Sequence, residues 1–194
     1  MKFKLFLFFF CLITFLFSQV SEVSPPDYIK TITLKSNTDQ SQLPILKLGE
    51  RLRLEFDVLN ADEADFYYTI SHYNFDWTPS KLIKSEYLQG YDNLRLEYYN
   101  NSFNTYQIYS HYTLQIPNQL SRLKLSGNYM IHIYNDYEEL MFSRKFMVYE
   151  SSANVGVAIK RSRDVLYIKQ KQSVDVVISS PSMHFNNPRN TIKI

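Results

Sequence analysis

Arg51-Leu52-Arg53-Leu54-Glu55-Phe56-Asp57-Val58 alternates charge and hydrocarbon without a break. In an extended chain Leu52, Leu54, Phe56 and Val58 fall on one face, and Arg51, Arg53, Glu55 and Asp57 on the other. On a helix the same residues would be scattered around the axis. The stretch is therefore a β-strand with one buried and one wet side. The pattern recurs outward in both directions. Phe66, Tyr68 and Ile70 alternate with Tyr67, Thr69 and Ser71; Tyr106, Ile108, Ser110, Tyr112 and Leu114 mark a third strand. Tyr129, Ile131 and Ile133 oppose Asn128, Met130 and His132, and Leu140, Phe142, Phe146 and Val148 give a fifth, with Arg144 an awkward member of its apolar face. Weaker patterning covers Tyr28 to Lys35, Leu43 to Leu48 and Leu94 to Tyr99. No convincing helix emerges.

The connections suit antiparallel pairing. Asn135 to Glu139 reads as a short polar hairpin loop, Pro117 and Asn118 stop one strand, and Gly127 opens another. Tyr129, just inside a strand that follows a crossing loop, has the position of a tyrosine corner. One apolar face per strand calls for two packed sheets. The expected fold is all-β: an immunoglobulin-like antiparallel β-sandwich over residues 25–149, a linker at 150–154, and the start of a second, truncated β domain over 155–194. In that second part strands are expected at Val155 to Lys160, Val165 to Lys169 and Ser173 to Ser179, with another opening at Thr191.

Residues 1–18 read as a secretory signal peptide: Lys2 and Lys4, an apolar run from Leu5 to Phe17, and the small Ser18 before Gln19. The run reaches roughly 20 Å as a helix, short of a ~30 Å bilayer core. The single cysteine, Cys11, lies mid-run between Phe10 and Leu12, away from a lipidation position. The remaining chain has no thiol, so burial must stabilise it. Without Lys2 and Lys4 the basic and acidic residues are equal at 19 each, which removes any global attraction to nucleic acid or anionic lipid.

Catalytic chemistry finds little support. Asp76 and Glu86 could form an acid–base pair, but nothing else in the pattern belongs to a glycosidase; Asp76 is expected to fix a turn and Trp77 to be a core residue of the sandwich. His72, His111 and His132 lack the spacing of a metal site, and there is no nucleophile elbow or phosphate-cradling loop. No cofactor is implied.

The distinctive segment is Tyr68-Thr69-Ile70-x-His72 followed by Asp76-Trp77-x-Pro79-Ser80-x-Leu82, then Glu86-Tyr87-Leu88-x-Gly90, Ser102-x-Asn104-Thr105, Tyr109-x-His111-Tyr112 and Ser126-Gly127-Asn128-Tyr129. This ordered set resembles the plug protein family of the type IX secretion system. It departs from the family at Tyr73, where a cysteine is usual. The resemblance implies an exported, non-enzymatic periplasmic protein, peripheral to the outer membrane, that seats against a large outer-membrane translocon β-barrel and closes its periplasmic mouth. On it the partner-binding candidates are His72, Asp76, Trp77, Glu86, Tyr87, Ser102, Asn104, Thr105, His111 and Tyr112. The alternative is an exported carbohydrate-binding module, for which a line of exposed rings across one sheet would speak.

Overall fold

The structure, a computed structural model, describes residues 20–37, 43–59 and 63–193. The signal-peptide reading lies outside them. The chain divides into two compact units, Met1–Tyr149 and Glu150–Ile194.

The first unit is a two-sheet sandwich, antiparallel except for the short parallel pairing of Ile45–Lys47 with Met147–Tyr149. One sheet has the order β1 (Ile29–Ser36), β3 (Leu52–Val58), β8 (Ser110–Ile116), β7 (Tyr98–Asn101). The other runs β2 (Ile45–Lys47), β11 (Leu140–Tyr149), β10 (Gly127–Asn135), β4 (Phe66–Tyr73), β6 (Leu94–Arg95). β5 (Leu88–Gly90) and β9 (Ser121–Leu123) pair at the side. The strand β3 has the alternation its sequence demands, with Leu52, Leu54, Phe56 and Val58 all buried. Phe56 lies opposite Tyr112 in register, the rings stacked at 5.2 Å, and meets Phe66 and Phe142 of the facing sheet edge-on at 5.4 and 5.2 Å. Such pairs contribute about 0.5–1.5 kcal/mol each beyond their area. Tyr129 occupies its corner: fully buried, it donates from its hydroxyl to the carbonyl of Leu125 at 2.7 Å, and burial pushes its phenol well above the ordinary range.

Arg144 resolves without penalty. Its guanidinium turns to Glu22 at 3.7 Å and to the carbonyls of Val23 and Ser143. Val23 in turn exchanges hydrogen bonds with Ser143, so the leading segment covers the free edge of β11 above β2.

Four expectations need correction. The third strand begins at Ser110, not Tyr106; Tyr106 and Ile108 stand exposed in the β7–β8 loop. The turn-forming residues Asn100, Asn101, Ser102, Asn104 and Thr105 break the chain before any apolar alternation can be used. Leu94 to Tyr99 is interrupted at Leu96 and Glu97: the Leu96 amide still donates to the Phe66 carbonyl and its side chain is buried, but the strand pairing stops there. In the second unit β12 (Asn154–Arg161) and β13 (Gln172–Ser179) form a hairpin, but Val165–Tyr167 is a 3-10 turn rather than a strand, capped by Asp164 accepting from the amide of Leu166. The last segment forms a single helical turn, α2 (Pro188–Thr191), Pro188 favouring a helix start over a strand. Lys160 and Arg163 pair with Asp175.

Replacing Phe56 by Ala is expected to cost about 3–5 kcal/mol, whereas Phe103→Ala, at an exposed loop position, should stay within roughly 0.5 kcal/mol of wild type; urea denaturation followed by circular dichroism measures both.

Candidate partner-binding surface

The motif residues fall into three local groups. In the first, β4 ends at Tyr73 and the chain reverses through Asn74 to Thr78. The amide of Asn74 donates to the carbonyl of Thr78 and that of Trp77 to the carbonyl of Asn74. The Asp76 carboxylate accepts from both the amide (3.1 Å) and the hydroxyl (2.7 Å) of Thr78, which hold its pKa below the usual carboxylate range. The turn-fixing role of Asp76 is therefore met. Trp77 is not a core residue. It takes φ 63° and lies half-buried, with the Lys145 ammonium 4.4 Å from its ring centre. Lys145 pairs with Met130 on the face of β10 opposite the core-facing Tyr129 and Ile131. The core at this end is filled by Tyr87, Tyr129 and Phe146, so the indole packs outside the sheet. Asn128 ties the turn down by donating to the carbonyls of Asn74 and Phe75.

The second group closes the sandwich beside β4. A single helical turn, α1 (Lys84–Tyr87), is capped by its own Glu86, whose carboxylate accepts from the amide of Ile83 at 2.7 Å. Tyr87 is buried, 5.5 Å from the His72 ring, and donates to the carbonyl of Ile70; burial raises its phenol pKa. His72 also meets Tyr129 edge-on at 4.9 Å. The two motif glycines are forced by contact. A Cβ on Gly90, at φ 102°, would lie 2.0 Å from the Leu120 carbonyl oxygen, and one on Gly127 2.3 Å from Nε2 of His72.

The third group belongs to the other sheet. On its outer face Nδ1 of His111 lies 2.6 Å from Asp57 and Nε2 3.5 Å from Glu55, which also pairs with Arg53. Tyr112 points inward, and its hydroxyl donates to the carbonyl of Ala64. Between β7 and β8, Ser102 holds a tight loop: its amide donates to the Tyr109 carbonyl and its Oγ accepts from the Tyr109 amide. Thr105 donates to the carbonyl of Gln107, and Asn104 takes the left-handed conformation at φ 54°. Glu63 fastens β7 by accepting from the Tyr99 hydroxyl and the side-chain Nδ2 of Asn101, which lower its pKa.

The ten candidates thus do not converge. His72, Tyr87 and Tyr112 are internal packing residues, Asp76, Glu86, Ser102 and Thr105 fix turns, and His111 belongs to a charged outer face. His72, His111 and His132 face three different environments; His132 is on the outer face of β10, where burial first and then the nearby Lys84 lower its pKa, with Asp92 opposing. A cleft of about 620 Å³ opens elsewhere, lined by Arg51, Tyr68, Arg95, Tyr98, Gln115 and Asn118 among others, and holds none of the candidate acids or bases. Sequence reasoning missed the side chains that the Ser102–Thr105 loop presents, Phe103, Tyr106 and Ile108. The Asn, Ser and Thr residues on both sides of Phe103 were the available signal for a turn.

Fold and surface together define an immunoglobulin-like two-sheet sandwich whose signature residues are spread over its core, its outer face and its turns. The chain belongs to the plug protein family of the type IX secretion system: the family model described as "Type 9 secretion system plug protein 1st domain" matches residues 29–150. It is also similar to the crystal structure of a hypothetical protein from Parabacteroides merdae ATCC 43184, with TM-score 0.78 and 28% identity over 89% of this chain and 45% of that one. The chain therefore spans less than half of that relative's length. A Pseudomonas fluorescens alkylpurine DNA glycosylase bound to DNA containing an abasic site analog gives only TM-score 0.31 at 15% identity, over 62% of this chain and 30% of that one, and carries no argument. No curated protein matches. Among the described residues no helix is long and apolar enough to cross a membrane.

Asp76→Ala removes both bonds to Thr78 and should destabilise the fold by about 1 kcal/mol, with a red shift in the emission of Trp77, the only tryptophan, as its turn loosens. Folding disfavours protonated His132, so its contribution is complete above the free imidazole pKa of ~6.5 and is lost as pH falls below it. Between pH 7.5 and 5.5, Tm of the wild type should therefore drop further than Tm of His132→Gln, as read by scanning calorimetry.

Proposed function

We propose that this protein binds the periplasmic mouth of the outer-membrane type IX translocon barrel and closes it, without catalysing a reaction. The observation that carries the reading is the use made of the signature residues. They hold two loops rigid on a stiff sandwich, as a body that occupies space against a neighbour requires, and they assemble no acid–base or nucleophile geometry. Family membership supports the same role and supports an envelope location. Rigid loops on a packed core meet a partner with little ordering cost, and Tyr, Trp and Phe give large contact areas with few rotamers to freeze.

A carbohydrate-binding role has one observation in its favour, an open depression of about 520 Å³ lined by Tyr67, Thr69, Asn93, Tyr134, Asn135, Asp136 and Glu138. The most exposed rings, however, stand on loops and an edge strand and form no line across a sheet face.

Tagged full-length protein purified from envelope membranes should recover a very large outer-membrane β-barrel. Recovery alone, or retention on a polysaccharide column instead, contradicts the proposal. Deleting the gene should make the outer membrane more permeable to large solutes in an antibiotic-uptake assay; unchanged permeability argues against pore closure.

A further inference from the structure

The edge strand β7 and the loop after it carry several large exposed side chains. Phe103 is 93% exposed, Tyr106 is fully exposed and Ile108 is exposed in the same loop, while Tyr98 is exposed at the far end of β7, opposite Thr113. Exposed side chains of this size are usually scattered singly; a contiguous set marks a contact surface. The loop is ordered by the Ser102, Thr105 and Gln107 hydrogen bonds, Gln107 reaching back to the carbonyl of Leu59. Its side chains are therefore presented on a fixed frame.

Its chemistry selects the kind of partner. Positions 98–110 carry no charged residue and consist of Tyr, Asn, Ser, Phe, Thr, Gln and Ile, the composition of protein-binding loops. Docking on anionic lipid or nucleic acid calls for Lys and Arg, which this stretch lacks.

The strand adds direction. β7 ends its sheet, with β8 on one side and no strand on the other. The opposite edge, β1, carries Lys30 and Lys35 and a register shift at Thr31, itself at φ 54°, and the outer edge of β11 is covered by β2 and the Glu22–Val23 segment. Charges, bulges and covers of this kind prevent strands from adding to an edge; Tyr98–Asn101 itself has no charged residue and no register shift, and the Glu63 carboxylate beside it is engaged by the Tyr99 hydroxyl and the Asn101 side-chain amide. The loop also sits at a defined end of the sandwich. β8 begins beside Val58, β10 ends at Asn135 beside Phe66, and the Phe66 and Tyr112 rings are 5.0 Å apart. The exposed Tyr137 hairpin thus shares this end, while β11 carries the chain away to Tyr149 at the other.

We infer that β7 and the β7–β8 loop are the docking edge of this domain: an extended, uncharged segment of a partner protein adds as a strand along Tyr98–Asn101, and Phe103, Tyr106 and Ile108 enter an apolar pocket beside it. The inference rests on the reading that the partner is the translocon barrel, and it names the surface used.

Two variants of the full-length protein test it: Phe103→Ser/Tyr106→Ser/Ile108→Ser, which removes the anchors, and Tyr98→Lys/Asn100→Lys, which charges the edge. All five positions are exposed, so unchanged urea midpoints confirm intact folding. Each variant is expected to recover the barrel from envelope membranes at least about tenfold less than wild type, the scale of lost hot-spot residues. If wild type recovers the barrel and both variants do so equally, the docking edge is wrong and the translocon reading stands. If wild type recovers no barrel, the translocon reading fails and takes the inference with it. Binding of the purified wild type to phosphatidylethanolamine–phosphatidylglycerol vesicles, abolished by the triple change, would identify the loop as a lipid anchor and overturn the inference.

Discussion

Phe56 sits face to face with Tyr112 in its own sheet and edge-on to Phe66 and Phe142 in the other, and that aromatic junction couples the two layers. With no thiol after Cys11, burial of this kind is what holds the layers together. Each ring also fixes something beyond itself. The hydroxyl of Tyr112 pins Ala64 at the start of β4, its face stacks on Tyr99 of β7, and Tyr99 binds Glu63. The edge strand that bears the exposed loop is thereby tied to the centre of the core through one unbroken chain of contacts.

The same economy governs the residues that carry the family resemblance. Gly90 and Gly127 leave room for the Leu120 carbonyl and the His72 ring. Asp76 and Glu86 each accept from a backbone amide two or three positions away, and Ser102 bridges the base of a loop. Buried polar groups and strained turns need partners, and these side chains supply them. A signature made of such residues preserves the shape of loops, and a partner senses shape through the side chains between them.

The second unit has a different character. Its hairpin aligns Val155, Val157 and Ile159 with Ile178, Val176 and Val174, an apolar face that two strands alone cannot enclose. At the turn, Asp175 gathers Lys160 and Arg163 while Asp164 caps the 3-10 turn. Which acid answers which base depended on register: Ala158 opposes Asp175, which brings that carboxylate beside the bases.

The sequence by itself determined the all-β class, the core-facing residues of β3, β4, β10 and β11, the hairpin at Asn135 to Glu139 and the corner at Tyr129. Each of these follows from a period-two pattern or a turn residue acting over a few positions. Only the tertiary structure decided that Trp77 packs outside the sheet under Lys145, that Tyr106 and Ile108 stand in solvent rather than in the core, and that the ten motif residues belong to three separate places. Alternation states that two faces differ; it does not state which of several aromatics fills the space between sheets. That choice is made by volume, once Tyr87, Tyr129 and Phe146 have occupied the end of the core that an indole would otherwise have taken.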